Sequence, residues 1–131
     1  MADMTSHRWL IPRLMKVNPH LTMRNAQGWL SSIINSNEFL FLRQDHSAAL
    51  AQCIRSFILD PIPVVQERFV FAEEEKYIDE ASAFYDDFGR WAKGMGCKNI
   101  LVNENSDVPM ILIRDRLGLV IDVTRYLARL P

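Results

Sequence analysis

The sequence is poor in the residues that usually carry covalent or metal chemistry. Its two cysteines, Cys53 and Cys97, fit neither a disulfide framework nor a metal-ligand spacing. Both are expected as small buried residues in a reducing or neutral setting. His7, His20 and His46 lie in separate polar surroundings without metal spacing, so they are expected at the surface or in turns. No serine sits in an elbow motif, and no cysteine pairs with a histidine. No apolar run approaches the roughly 20 residues of a membrane helix. The opening MADMTSHRWLIP lacks the apolar core, about 7–15 residues long, of a secretion signal. A basic excess is also missing: 15 Lys and Arg stand against 16 Asp and Glu, which argues against a general nucleic-acid or anionic-membrane binder. These absences predict no metal, no nucleic acid, no membrane, and a chain not secreted by a signal peptide.

What is present is ordinary globular composition, 49% apolar and 24% charged. The 131 residues are expected as a single domain, 1–131, with no repeat, linker or low-complexity tract. The chain is organised around Val64 to Leu101. VVQERFVFA reads as a strand on which Val65, Phe69 and Phe71 alternate. EEEKYIDEASAFYDDFGRWAKGMG reads as one long helix, with Ile78, Ala81, Phe84, Tyr85, Phe88, Trp91, Ala92 and Met95 forming an apolar stripe. Gly94 and Gly96 close it, and KNILVN resumes as a strand. Strand, crossover helix and strand make a βαβ unit with parallel strands. The helix N-terminus beside the first strand is a place where an anionic ligand could bind.

Around this unit the patterning predicts a helix from about Arg8 to Val17, with Ser6 as a cap and Pro12 in its first turns. A further helix is predicted from Asn25, as N-cap, to Asn35. EFLFLR and SAALAQCIR flank Gln44-Asp45-His46 as a β-hairpin, with Phe57 to Leu59 as an extension. Asp60-Pro61-Ile62-Pro63 is a loop. After the turn 103–107, Ser106 or Asp107 is expected to cap a short helix, Val108 to Leu117, which stops at Gly118. A last strand is expected from Leu119 to about Leu127. The fold class is therefore α/β, of mixed α+β kind: one central mixed sheet flanked by helices. Trp9, Trp29 and Trp91 each fall on the apolar side of a helix and are expected in the core.

This order, with Phe88-Gly89-Arg90-Trp91-Ala92-Lys93-Gly94-Met95-Gly96-Cys97 and Ile113-Arg114-Asp115-Arg116-Leu117-Gly118-Leu119, resembles the GCN5-related N-acetyltransferases, or GNAT fold, over about Trp9 to Leu127. The stretch from Phe88 is similar to the end of the family's long helix, where WA(R/K)xxG is common. The stretch from Ile113 is similar to its short helix before the last strand. One departure is at the start, where the family's first strand has no counterpart in the short polar opening.

The resemblance implies a pyrophosphate site of form (Arg/Gln)-x-x-Gly-x-(Gly/Ala) for acetyl-CoA, falling on Lys76-Tyr77-Ile78-Asp79-Glu80-Ala81. Lys76 stands at the basic position and Ala81 is permitted, but Asp79 replaces the glycine. Glu73, Glu74, Glu75 and Glu80 surround it. Each nearby carboxylate would oppose a phosphate charge by roughly 1 kcal/mol at 4 Å in water. The helix dipole returns only about 0.3–1 kcal/mol per charge. A side chain at Asp79 also blocks the close backbone approach that glycine permits. The stretch suits a helix start better than a diphosphate. The implied base is Glu67, from sharing a face with Val65 and Phe69, although an exposed or ion-paired Glu67 is the plainer expectation. At the position where the family often places a tyrosine acid stands Arg114, which holds its proton near neutral pH. Tyr126, on the last strand, is an alternative acid but is expected to pack.

Two functions follow. In the first, a GNAT-fold protein with a degenerate acetyl-CoA site acts as a structural or protein-interaction module, through a protein partner or as a homo-oligomer. Its compact form is similar to degenerate acetyltransferase-like proteins encoded by tailed bacteriophages, some of them virion components, which implies a cytoplasmic or virion location. The acidic helix start and an open sheet edge would be its contact surfaces. In the other, an active acetyl-CoA-dependent N-acetyltransferase holds the cofactor atypically. Backbone groups at Val70 and Phe71 bind the pantetheine arm, Lys76 reaches a phosphate, Ala81 lines the loop, and Glu67 acts as base through water. A small regulatory protein that binds another protein or a peptide is not separable from the first.

Overall fold

A computed structural model describes residues 8–55, 63–103 and 106–117. Within them run α1 (Leu10–Val17), α2 (Met23–Ile34), β1 (Phe39–Gln44), β2 (Ser47–Ile54), β3 (Val64–Ala72), a 3-10 turn (Glu75–Tyr77), α3 (Ile78–Ser82), α4 (Phe84–Gly94), β4 (Asn99–Leu101) and α5 (Met110–Leu117). The sheet order is β1-β2-β3-β4. β1, β2 and β3 are antiparallel neighbours, and β4 runs parallel to β3. The mixed sheet, the hairpin and the βαβ unit are as expected.

Helices cover both faces of the sheet. Leu10, Ile11 and Leu14 of α1 and Ala26, Leu30 and Ile33 of α2 pack with Ala48, Leu50, Phe69 and Phe71 on one face. Phe84, Tyr85, Phe88 and Ala92 of α4, with Ile113 of α5, pack with Ala49, Ala51, Val65, Val70 and Ala72 on the other. β2 lies between β1 and β3, and its residues from Ser47 to Ala51 are all buried. Alanine is a weak strand former, but on a strand covered on both faces its small volume lets the helix layers approach, and packing overrides propensity.

Four expectations are corrected. The strand VVQERFVFA does not alternate through its length. The pairing with β2 slips between Leu50 and Ala51, so that Leu50 faces Phe69 while Ala51 faces Glu67. Arg68 is thus an extra, bulged residue. Val65 and Glu67 share the α4 face, and Phe69 and Phe71 share the opposite one. The long helix is not continuous either. It opens as a 3-10 turn and bends at Ala83, where Ser82 Oγ donates to the carbonyl of Asp79 at 2.7 Å, a back-bond that bends helices. α2 begins earlier than expected, because Thr22 rather than Asn25 is the N-cap and accepts from Asn25 N at 3.1 Å. Trp29 is 40% exposed rather than in the core.

At its far end α4 closes as expected. Gly96 takes φ +80°, Cys97 N donates to Ala92 O at 2.9 Å, and Gly96 N donates to Lys93 O at 3.1 Å, the paired bonds of a Schellman motif. Ser6, His7, the extension through Leu59, most of the proline loop, the stop at Gly118 and the last strand with Tyr126 lie outside the described residues.

Candidate functional site

β3 and β4 pair only from Val64 to Gln66 against Asn99 to Leu101. Ladder pairing ends there, and the bulge at Arg68 puts Glu67 on the sheet face that α4 covers. Glu67 is 3% exposed, not on the surface and, among the described residues, not in an ion pair. Its Oε1 accepts from Tyr85 Oη at 2.7 Å and from Asn103 N at 3.3 Å. Tyr85 Oη also lies 2.8 Å from Ser106 Oγ, which accepts from Val108 N at 3.3 Å. Glu67 Oε2 is buried with no hydrogen-bond partner among the described residues. Burial pushes the Glu67 carboxyl up from 4.5 to about 7, against the hydrogen bonds from Tyr85, Asn103 and Ser106 that favour its charged form.

Further along, on the β3 edge turned away from β2, here the cleft side, Val70 O, Ala72 N and Ala72 O are bonded. Asp107 Oδ2 accepts from Ala72 N at 3.0 Å, and Asp107 N donates to Val70 O at 3.4 Å. Arg13 of α1 forms an ion pair with Asp107, donates to Ala72 O at 3.0 Å, and sits 5.3 Å from the centre of the Phe71 ring. Asp107 therefore occupies β3 as a short strand would, and Val108 is buried in the α4 core beside it. The peptide groups of Phe71 face the other way, because Phe71 pairs with Ala48 and the next bond on that side is Glu73 N to His46 O at 2.8 Å.

The acidic turn after β3 folds back onto the hairpin. His46 Nδ1 lies 2.8 Å from Glu73 Oε2, and its ring stacks on Tyr77 with centroids 3.9 Å apart. Glu80 Oε2 accepts from His46 N at 3.0 Å and from Ser47 Oγ at 2.7 Å. Asp79 is exposed. Lys76, its side chain 67% exposed, lies 3.4 Å from Glu74, and that contact is the main cause raising its pKa. Ala81 is fully buried in the α4 core. Arg114 is exposed on α5. The structure therefore sets Glu67 against Tyr85, bonds Val70 O to Asp107, turns the Phe71 peptide toward β2, and leaves Lys76 exposed on the acidic turn with Ala81 buried in the α4 core.

Sequence reasoning missed Tyr85, Ser106, Asp107 and Arg13 as parts of this site. Tyr85 had a usable signal, since a tyrosine in a buried stripe needs a partner for its hydroxyl. Asp107 and Ser106 were expected as helix caps. Ser106 instead caps a local turn, and Asp107 turns away to β3.

Comparison with solved structures places this arrangement. The glucosamine-6-phosphate N-acetyltransferase of Arabidopsis thaliana superposes with a TM-score of 0.66 at 9% identity, over 92% of this chain and 89% of that one. A Trypanosoma brucei acetyltransferase gives 0.64 at 15% identity, over 92% and 87%. The chain has the GNAT fold. No protein-family model and no curated sequence matches it.

Proposed function

We propose that this chain is a GNAT-fold protein with a degenerate acetyl-CoA site, and that it works as a structural or protein-interaction module. One observation carries the reading: Val70 O and Ala72 N, the polar groups on the cleft side of β3, are bonded to Asp107, which Arg13 holds in place. A pantetheine arm would have to displace that pair. The diphosphate position adds to the mismatch, with Asp79 at the glycine position, Lys76 turned to Glu74, and a three-residue 3-10 turn in place of a helix start. The residues present do not fit the cofactor.

The module reading assigns the protein to a protein partner or a second copy of itself, with a virion component as the specific form. Val17, Met23 and Trp29, exposed apolar side chains on the first two helices, support a protein contact. Size-exclusion chromatography with mass measurement tests self-association; a protein that stays monomeric at all concentrations removes the homo-oligomer.

Glu67 favours another reading, a working N-acetyltransferase with an atypical cofactor loop. A buried carboxyl raised to about 7 beside the Tyr85 hydroxyl is poised to accept a proton near neutral pH. Thermal melting with acetyl-CoA separates the two. Ligand at a hundred times its dissociation constant adds about 2.7 kcal/mol. The module reading expects no shift at millimolar acetyl-CoA, and a gain of binding when Asp107→Ala is combined with Asp79→Gly and Glu75→Gln. A saturable shift in the unaltered protein overturns it.

A further inference from the structure

The two cysteines stand together although 44 residues separate them. Cys53 is on β2 and Cys97 on the turn that leads from α4 to β4, and their sulfurs are 3.9 Å apart. Both backbones are pinned. Cys53 N donates to Glu38 O at 2.8 Å, and Cys97 N closes the Schellman motif on Ala92 O. A disulfide would bring the sulfurs from 3.9 Å to a bonded separation of about 2.05 Å. Access differs between them. Cys53 is buried and Cys97 half-buried. Cys97 also lines a groove of about 290 Å³ with Lys93, Lys98, Arg90 and Arg116.

We propose that Cys53 and Cys97 are a dithiol site that a peroxide converts to an intramolecular disulfide, stapling β2 to the turn between α4 and β4. Cys97, reached from the groove, reacts first. Its thiolate attacks one peroxide oxygen, the O–O bond breaks, and an S–O bond forms, giving a sulfenic acid and hydroxide that takes up a proton as water. Cys53 then attacks the Cys97 sulfur. The S–S bond forms, the S–O bond breaks, and another water leaves. Two thiols lose two electrons and two protons, and hydrogen peroxide becomes two waters. Burial, with the hydrogen bond to Cys53, pushes the Cys97 thiol up to about 11. Its thiolate is scarce at neutral pH, so the first step is slow and the site acts as a staple rather than a rapid sensor. A crosslink across a loop of this length removes freedom from the unfolded chain and stabilises the fold.

The test uses the intact chain and hydrogen peroxide. The chain has only two cysteines, so any intramolecular disulfide is this one. The expected result is a monomer lighter by two hydrogens, with both thiols lost to maleimide labelling and restored by dithiothreitol. Its Tm should be higher than that of the reduced form by about 5 °C or more. Because the folded state speeds only the closing step, dimedone present during oxidation should trap less sulfenic acid relative to disulfide in the folded protein than in concentrated urea. In Cys53→Ser, Cys97 should stop at a sulfenic acid that dimedone traps. If that variant does not fold, the comparison of folded and urea-unfolded wild type decides alone. Thiols that remain free or go on to sulfinic acid, a share of disulfide over dimedone adduct no larger than in urea, or a lowered Tm would each overturn the proposal.

Discussion

Glu67 is the residue on which stability and any chemistry meet. Its carboxyl is raised from 4.5 to about 7 in the fold by burial. A raised pKa means that the folded state favours the protonated form. The associated stability is fully present below about pH 4.5 and is lost as pH rises through about 7. The shift corresponds to a change on the order of 3 kcal/mol. Urea denaturation should therefore show the wild type weaker at pH 8.5 than at pH 5.5, and Glu67→Gln should flatten this dependence and raise stability at pH 8.5. An unchanged slope in the variant would mean that another group carries it. Asp107 works in the opposite sense. It satisfies the N–H of Ala72, a buried residue, so Asp107→Ala leaves that donor bare. The expected cost is about 1–3 kcal/mol, read in the same denaturation experiment. A neutral result would show that water replaces the carboxylate and that the cleft edge is open to other partners.

At the scale of elements, the alanines of β2 set how closely the two helix layers approach the sheet. Ala49 is buried in the α4 core with no exposed surface. Ala49→Leu should overpack it and lower stability by about 1–3 kcal/mol; a stabilised variant would reveal unfilled space beneath α4. Most of the element order was legible because long amphipathic patterns and turn residues act locally. The bulge was not. Val65, Phe69 and Phe71 share odd positions, which reads as one face, and only pairing with β2 shows that Arg68 is extra. That single residue decided which face Glu67 takes. The bend at Ala83 was hidden for a similar reason, because the apolar stripe continues across it while Ser82 breaks the ladder from within. The Tyr85–Ser106 contact and the Asp107 latch depend on segments far apart in sequence, which periodicity cannot join.

For the whole molecule, the GNAT fold and the use of that fold are separate matters. The fold is shared with the acetyltransferases on which the chain superposes. On the proposed function, the cleft has become part of the protein's own packing, with Asp107 and Arg13 joining α1, β3 and the segment before α5. On that reading, a pantetheine arm would meet Asp107 at Val70 O and Ala72 N rather than bare strand groups.

The decisive measurement is a titration of the 15N-labelled protein with coenzyme A, following the amide of Ala72 and those from Lys76 to Ala81. A degenerate site predicts that these signals stay in place up to millimolar ligand in the wild type. A saturable movement of Ala72 together with the Lys76–Ala81 amides would contradict it, because the ligand would then be lying where Asp107 now sits.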